Sequence, residues 1–319
     1  MTKIALFGAA GAIGNSIAAA LRAEGLPYRV VGRDAARLHA SFGADPLADI
    51  VAWNPDVPAS VQAAASGIET LIYLVGVNYW QFALHPEVMR KTLDGAIAAG
   101  VKNIVLIGTV YPYGRSQGNP VREDHPRAPH TFKGRMRLEQ EDIVMQAHRD
   151  GGINATVLRL PDFYGPGVDA SLLDGVVKAA VSGGTANMLG PLDVPHEFVF
   201  VPDVGPVVLK LAATPAAFGN VWHLAGAGVT TQRALVTEME RQTGRPLKLR
   251  VAGKTMLRVF GLFSTMMREL VEMNYLLTEP VIMDDTALRR LIGPIKKTPY
   301  GEGVRQTLAA VAAASVRSA

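Results

Sequence analysis

The chain has 319 residues, 49% of them hydrophobic and 19% charged, which excludes a disordered chain and allows one large domain or two modest ones. Its 32 basic and 28 acidic residues leave a net charge of +4, with only loose cationic clusters such as Arg241, Arg245, Lys248 and Arg250, so a nucleic-acid-binding face is not expected. No cysteine, no metal spacing among the seven histidines and no apolar run long enough to cross a bilayer exclude disulfides, Cys-based or His-spaced metal sites and a membrane span, and point to a soluble, cytoplasmic protein.

Lys3–Phe7 reads as a short apolar strand. It runs into Gly8-Ala9-Ala10-Gly11-Ala12-Ile13-Gly14 and then into a helix-period segment beginning Asn15-Ser16-Ile17. A strand, a tight glycine turn and a helix N-terminus form a cradle for a pyrophosphate. Gly8 permits the turn, Gly11 lets the backbone approach the phosphates, and Gly14 lets the helix pack close on the sheet.

Further strands are predicted at Tyr28–Val31, Asp49–Trp53, Thr70–Val75 and Asn103–Ile107, with helices at Ala12–Glu24, Ala35–Phe42, Ala59–Ala65 and Pro86–Ala99 between them. This alternation implies right-handed crossovers and a parallel sheet. Lys133–Arg149 reads as a long helix and Ala155–Leu160 as a buried strand. After Tyr164-Gly165-Pro166-Gly167 the rhythm changes; Asp203–Ala213 reads as helix, Val221–Ala225 as strand and Thr231–Thr243 as helix. The expected class is α/β: a Rossmann-type doubly wound parallel sheet over residues 1–165, with 195–225 returning to it. Residues 166–194 and 226–319 then form a smaller C-terminal substrate-binding cap.

At the end of the second strand, facing an adenosine ribose, stands Arg33. Its cationic fork suits a 2′-phosphate, and Arg37 one turn on adds charge, so NADP(H) is expected over NAD(H). Asp34 competes as an acidic candidate but also suits the N-cap of the next helix.

Five segments in order resemble the short-chain dehydrogenase/reductase superfamily, in its extended and atypical branch of NAD-dependent epimerase/dehydratase-like proteins. They are the Gly8/Gly11/Gly14 turn, Leu74-Val75-Gly76, the run Leu106–Gly114 with Thr109, Arg159–Gly167, and Phe198–Val204. In the fourth, Asp162 stands where the family pattern has Asn. The resemblance implies cofactor contacts at Gly8, Ala10, Gly11, Ala12, Ile13, Gly14, Arg33, Asn54, Leu74, Val75, Gly76, Lys133, Pro161 and Phe163. It implies substrate contacts at Asn78, Tyr79, Trp80, Tyr113 and Tyr164, and a homodimer is compatible with it. Asn54 serves equally as a turn residue, and Tyr79-Trp80 equally as a packing wedge.

Thr109 falls on the family's substrate-binding Ser/Thr. The family's Tyr-x-x-x-Lys pair, in which Tyr transfers the proton and Lys holds the ribose, is absent from the chain. Aligning Glu139 with a family glutamate puts Thr131 and Arg135 on the pair; a two-residue slip makes Lys133 the ribose lysine instead. The candidate catalytic residues are therefore Thr109, Lys133, Thr131 and Tyr111, with Tyr113 as a further hydroxyl. Asp162, His85 and His130 are additional proton-transfer candidates, each also explained by turn capping or by surface exposure. Met256, Met266, Met267 and Met273 read as core, and Arg268, Glu269 and Glu272 as a solvated face or pairs with one another.

Three functions follow from this. One is an NADP(H)-dependent oxidoreductase acting on a small, apolar carbonyl or alcohol. Another is a sugar-nucleotide epimerase or dehydratase. The third is a non-catalytic NADP-sensing regulator.

Overall fold

Strands buried on both faces carry apolar residues at successive positions, and this alternation builds the centre of the molecule. The computed structural model describes residues 3–169, 171–253, 256 and 265–318. Its main sheet joins β1 (Ile4–Phe7), β2 (Tyr28–Gly32), β3 (Ala48–Ala52), β4 (Thr70–Tyr73), β5 (Asn103–Thr109), β6 (Asn154–Leu160) and the later strand Val221–His223. From one edge the order is β3, β2, β1, β4, β5, β6 and Val221–His223, and every pairing is parallel. Leu6, Val30, Ile72 and Val105 point to one face, against Ile17, Leu21, Val204 and Val208. Their neighbours Phe7, Val31, Tyr73 and Leu106 point to the other, against Val61, Met89, Leu93 and Val144.

Five helices connect these strands: α1 (Ala12–Ala23), α2 (Ala35–Phe42), α3 (Pro58–Ala65), α4 (Leu84–Ala98) and α5 (Phe132–Arg149). Asp34 caps α2 by accepting from Arg37 N at 3.0 Å. The expected strand Thr70–Val75 ends at Tyr73 because Leu74 and Val75 turn under the glycine loop: a Cβ on Gly8 would meet Val75 N at 2.7 Å and Leu74 O at 2.8 Å.

Beyond β6 come β7 (Asp162–Tyr164), α6 (Asp174–Ser182), β8 (Thr185–Leu189), β9 (Phe198–Phe200), α7 (Val201–Ala212), β10 (Val221–His223), α8 (Gln232–Thr243) and β11 (Lys248–Ala252). The chain finishes with α9 (Thr265–Met273), α10 (Tyr275–Thr278), α11 (Thr286–Ile292) and α12 (Tyr300–Ser318). Strands β7 and β9 form one small parallel sheet and β8 and β11 another. Helices α6, α8 and α12 close a separate apolar core holding Val176, Leu235, Met239 and Val304. Among the described residues no helix is long and apolar enough to cross a membrane.

Candidate functional site

The glycine loop is shaped for a group that a side chain would displace. Gly8 has φ +90°, a left-handed conformation that a Cβ disfavours. A Cβ on Gly14 would lie 2.0 Å from Ala9 O, so the helix can approach the loop only without one. A Cβ on Gly11 would project into open space. Gly11 is also the N-cap of α1 and brings no side-chain acceptor, so the first N–H groups of the helix remain available to an anion. Gly8, Gly11, Ala12, Ile13, Gly14, Leu74, Val75, Gly76, Thr109, Tyr111, Pro161 and Phe163 line one cavity of about 290 Å³. These features fit a dinucleotide.

Three further expected cofactor contacts, Ala10, Arg33 and Asn54, do not line this cavity. Ala10 belongs to the same loop, and its carbonyl accepts from Arg37 Nη2 at 3.4 Å. Arg33 is exposed at the end of β2. Asn54 is spent on a turn: Asp56 N donates to its Oδ1 at 2.9 Å, and its side chain does not line the cavity.

The helix α5 register corrects three expectations. Arg137, not Arg135 or Lys133, lines the dinucleotide cavity. Arg137 is buried, donating from Nη2 to Ile107 O at 3.1 Å and from Nη1 to His85 Nδ1 at 3.2 Å. A guanidinium has no acceptor, so this bond takes the Nδ1 lone pair and leaves the imidazole proton on Nε2. Burial and the adjacent Arg137 charge push the His85 pKa down to about 2, so His85 is neutral. Arg135 is exposed and bonds His130 O at 3.1 Å. Thr131 is the N-cap of α5, its hydroxyl accepting from Gly134 N at 3.0 Å. Lys133 is fully buried, facing the cap: Glu272 accepts from its Nζ at 2.7 Å, and Glu269 accepts as well. Its ammonium lies 5.1 Å from the centroid of the Tyr79 ring. Glu269 and Glu272 are thus partners of Lys133 rather than a solvated face.

Glu141, and not Glu139, is the glutamate that this helix buries against the sheet. It forms a buried ion pair with Arg159 on β6, at 3.1 Å to Nε and 2.5 Å to Nη2, which ties α5 to the sheet. Glu139 pairs at the surface with Arg90. Counting back from Glu141 in steps of four places Arg137 and Lys133 on one helix face, and this is the face turned toward the cavity and the cap.

A second cavity of about 1020 Å³ adjoins the first. The two share Tyr111 and Phe163. Tyr111 sits in a 3-10 turn directly after β5, and its amide donates to Thr109 Oγ1 at 3.3 Å. The Tyr79 and Tyr111 hydroxyls are 3.0 Å apart. Burial raises the pKa of both; Tyr79 reaches about 12, and Tyr111 is lifted well above its ordinary value of 10.0, with the Tyr79 and Asp162 charges adding to the effect. Asp162 on β7 also lines this cavity and accepts from His196 Nε2 at 2.7 Å.

The other expected substrate contacts are corrected. Trp80 is 54% exposed, and Asn78 is exposed and bonds Gln81 at 2.9 Å. Tyr113 is fully buried, its hydroxyl 2.5 Å from His223 Nε2. Tyr164 packs with Phe198, Phe200 and Tyr300. None of the four lines either cavity: the packing that buries Tyr113 and Tyr164 turns them away, and Asn78 and Trp80 face outward. His130 is exposed and meets Tyr275 edge-on, whereas His85 borders the dinucleotide cavity. Met256 is 47% exposed and lines the larger cavity instead of filling a core interior, whereas Met273 is buried in an apolar cluster with Val110, Val121 and Met283, as expected, and borders the same cavity. The side chains of Met266, Met267 and Arg268 lie outside the described residues.

Arg137 and His196 were not read from the sequence as site residues. The signal for Arg137 was present in the four-residue spacing Lys133, Arg137, Glu141.

A parallel sheet with a glycine cradle at the N-terminus of α1, opening beside a second cavity at the carboxyl ends of the strands, defines a dinucleotide-dependent enzyme of the open α/β class. A profile of the NAD dependent epimerase/dehydratase family matches residues 4–225, and the chain belongs to that family. It is 30% identical over 264 residues to dTDP-6-deoxy-L-talose 4-dehydrogenase (NAD(P)(+)) of Kitasatospora kifunensis, covering 77% of this chain and 81% of the relative. It is 28% identical over 155 residues to 2'-dehydrokanamycin reductase of Streptomyces kanamyceticus, covering 46% and 43%. The fold matches UDP-glucuronic acid 4-epimerase from Bacillus cereus with NAD at a TM-score of 0.80 and 15% identity, over 97% of this chain and 98% of that one.

Proposed function

We propose that the chain interconverts a carbonyl and an alcohol with NAD(P)(H), using Tyr111 in place of the family's missing tyrosine. The observation that carries this reading is the position of Tyr111, which lines both the dinucleotide cavity and the larger one. A nicotinamide bound in the first cavity supplies or takes the hydride. Tyr111 donates its proton to the substrate oxygen as a carbonyl is reduced, Tyr79, hydrogen-bonded to it, passes a proton on to Tyr111, and solvent entering the larger cavity returns the proton to Tyr79. Thr109 Oγ1 accepts from the Tyr111 amide, which leaves its O–H free to donate to the same oxygen. Arg137 takes the ribose-holding role, with a permanent charge on the cavity wall.

NADP(H) is the preferred cofactor in this reading. Arg37 donates to Ala10 O of the glycine loop, Arg33 is exposed just after β2, and Asp34, the competing acid, is committed to capping α2. The substrate is a small, largely apolar carbonyl compound. Tyr79, Phe163, Met188, Leu270 and Met273 wall the larger cavity, and Arg250 is the one cation among its described lining residues. A second reading is a sugar nucleotide, favoured by the names of the talose dehydrogenase and the UDP-glucuronic acid epimerase.

The test is consumption of NADPH and NADH, followed by absorbance, against a panel of cyclic ketones, keto sugars and nucleotide sugars. Turnover of ketones with NADPH favoured over NADH is expected. Tight cofactor binding with no turnover on any panel member contradicts it and supports a non-catalytic sensor.

A further inference from the structure

The larger cavity carries a charge pattern that selects its substrate. Asp162 is a carboxylate set into an otherwise mostly apolar and aromatic wall, and its side chain keeps 40% of its surface exposed. His196, whose side chain is 10% exposed, engages only Oδ2, at 2.7 Å. The main chain fixes His196 from behind: its N–H donates to Thr230 O, and its carbonyl accepts from Thr230 N, both at 2.7 Å. The Tyr79 and Tyr111 hydroxyls, where the oxygen chemistry is proposed, feel the Asp162 charge. A diphosphate entering here would bring two negative charges toward a carboxylate, with Arg250 as the one described counter-charge on the wall. A group that donates a hydrogen bond would instead complete the open oxygen of Asp162.

Resting on the oxidoreductase reading of this cavity, we infer that the substrate is phosphate-free and presents an O–H or N–H donor to Asp162 close to the reacting carbon. A hydroxyl and a protonated amine share this chemistry. The amine adds charge pairing and is the tighter of the two.

The test is titration calorimetry on the NADPH-saturated protein with tetralol, its vicinal diol and its vicinal amino alcohol, alongside UDP-glucose and dTDP-glucose. The expected order is amino alcohol, then diol, then tetralol, with a spread of at least about tenfold, and no binding of either nucleotide sugar. Asp162→Asn should lower the amino alcohol's affinity by about ten- to hundredfold and leave that of tetralol little changed. The pair Asp162→Asn with His196→Arg should gain UDP-glucose binding. Far-UV circular dichroism verifies that each variant is folded.

If NADPH itself fails to bind, the oxidoreductase reading falls. If NADPH binds but UDP-glucose or dTDP-glucose outcompetes the ring alcohols, only the substrate inference is overturned. Equal binding of the three ring alcohols, or no binding by any of them, overturns it too.

Discussion

The hydroxyls of Tyr79 and Tyr111 lie 3.0 Å apart, one on the wall of the larger cavity and the other at its junction with the dinucleotide cavity. In the proposed reaction this contact gives the substrate oxygen a two-step path for a proton. Burial keeps both phenols protonated through neutral pH. An acid catalyst works below its own pKa, so ketone reduction should hold a flat kcat through neutrality and past the ordinary tyrosine value of 10.0. Alcohol oxidation needs the deprotonated form, and its kcat should rise with pH across the same range. Tyr79→Phe should lower kcat by about tenfold by cutting the refilling step, with KM for the cofactor unchanged. Steady-state profiles in both directions check the pair. A reduction rate already falling by neutral pH would speak against it.

Arg137 holds a buried charge beside the dinucleotide cavity, where its described partners are the neutral His85 and the Ile107 carbonyl. A charged donor to a bound hydroxyl contributes about 1.5–3 kcal/mol. Arg137→Ala should therefore weaken NADPH binding by roughly ten- to hundredfold, and Arg137→Lys should recover part of the loss. Arg135→Ala, on the outer face of the same helix, should bind NADPH like the unmodified protein. Fluorescence titration separates the three.

Glu197 is buried with backbone donors from Met283 at 2.7 Å and Gly226 at 3.3 Å, and burial lifts its carboxyl pKa to about 7 from 4.5. A folded-state pKa above the unfolded one contributes stability that is full below pH 4.5 and is lost as pH rises through 7. Glu197→Gln removes that titration. Thermal melts should show the Tm of the variant falling less than that of the unmodified protein between pH 4.5 and 7. Parallel curves would show that Glu197 titrates alike in both states.

Most of the first six strands and their helices were legible because a strand buried on both faces has few polar positions to blur its pattern; the half-exposed edge strand β3 was marked by its place in the strand–helix alternation, and the Gly8/Gly11/Gly14 spacing has few other uses. The dinucleotide cavity followed from it. The short strands β7, β8 and β11 were not legible because they pair across long sequence separations, as Asp162 does with Phe198, whereas β9 falls in the Phe198–Val204 segment that the family resemblance marks as a strand-to-helix turn. The helix α5 register failed for a different reason. Glu139 and Glu141 are both plausible anchors by type, and only the buried partner Arg159 distinguishes them. Tyr113 and Tyr164 failed because sequence shows that an aromatic residue is near a site but not which way its ring turns. His196 was invisible because its meaning depends on Asp162, 34 residues earlier.

The most direct test of the central claim is hydride transfer in Tyr111→Phe. NADPH deuterated at the reactive nicotinamide carbon is incubated with the best ketone of the panel, and deuterium in the product alcohol is followed by mass spectrometry. The unmodified protein should place deuterium on the carbinol carbon. Tyr111→Phe should bind NADPH with undiminished affinity and transfer deuterium about 10²–10⁴-fold more slowly, the usual worth of a positioned proton donor. Transfer at the unmodified rate by Tyr111→Phe would contradict the assignment of the proton to Tyr111.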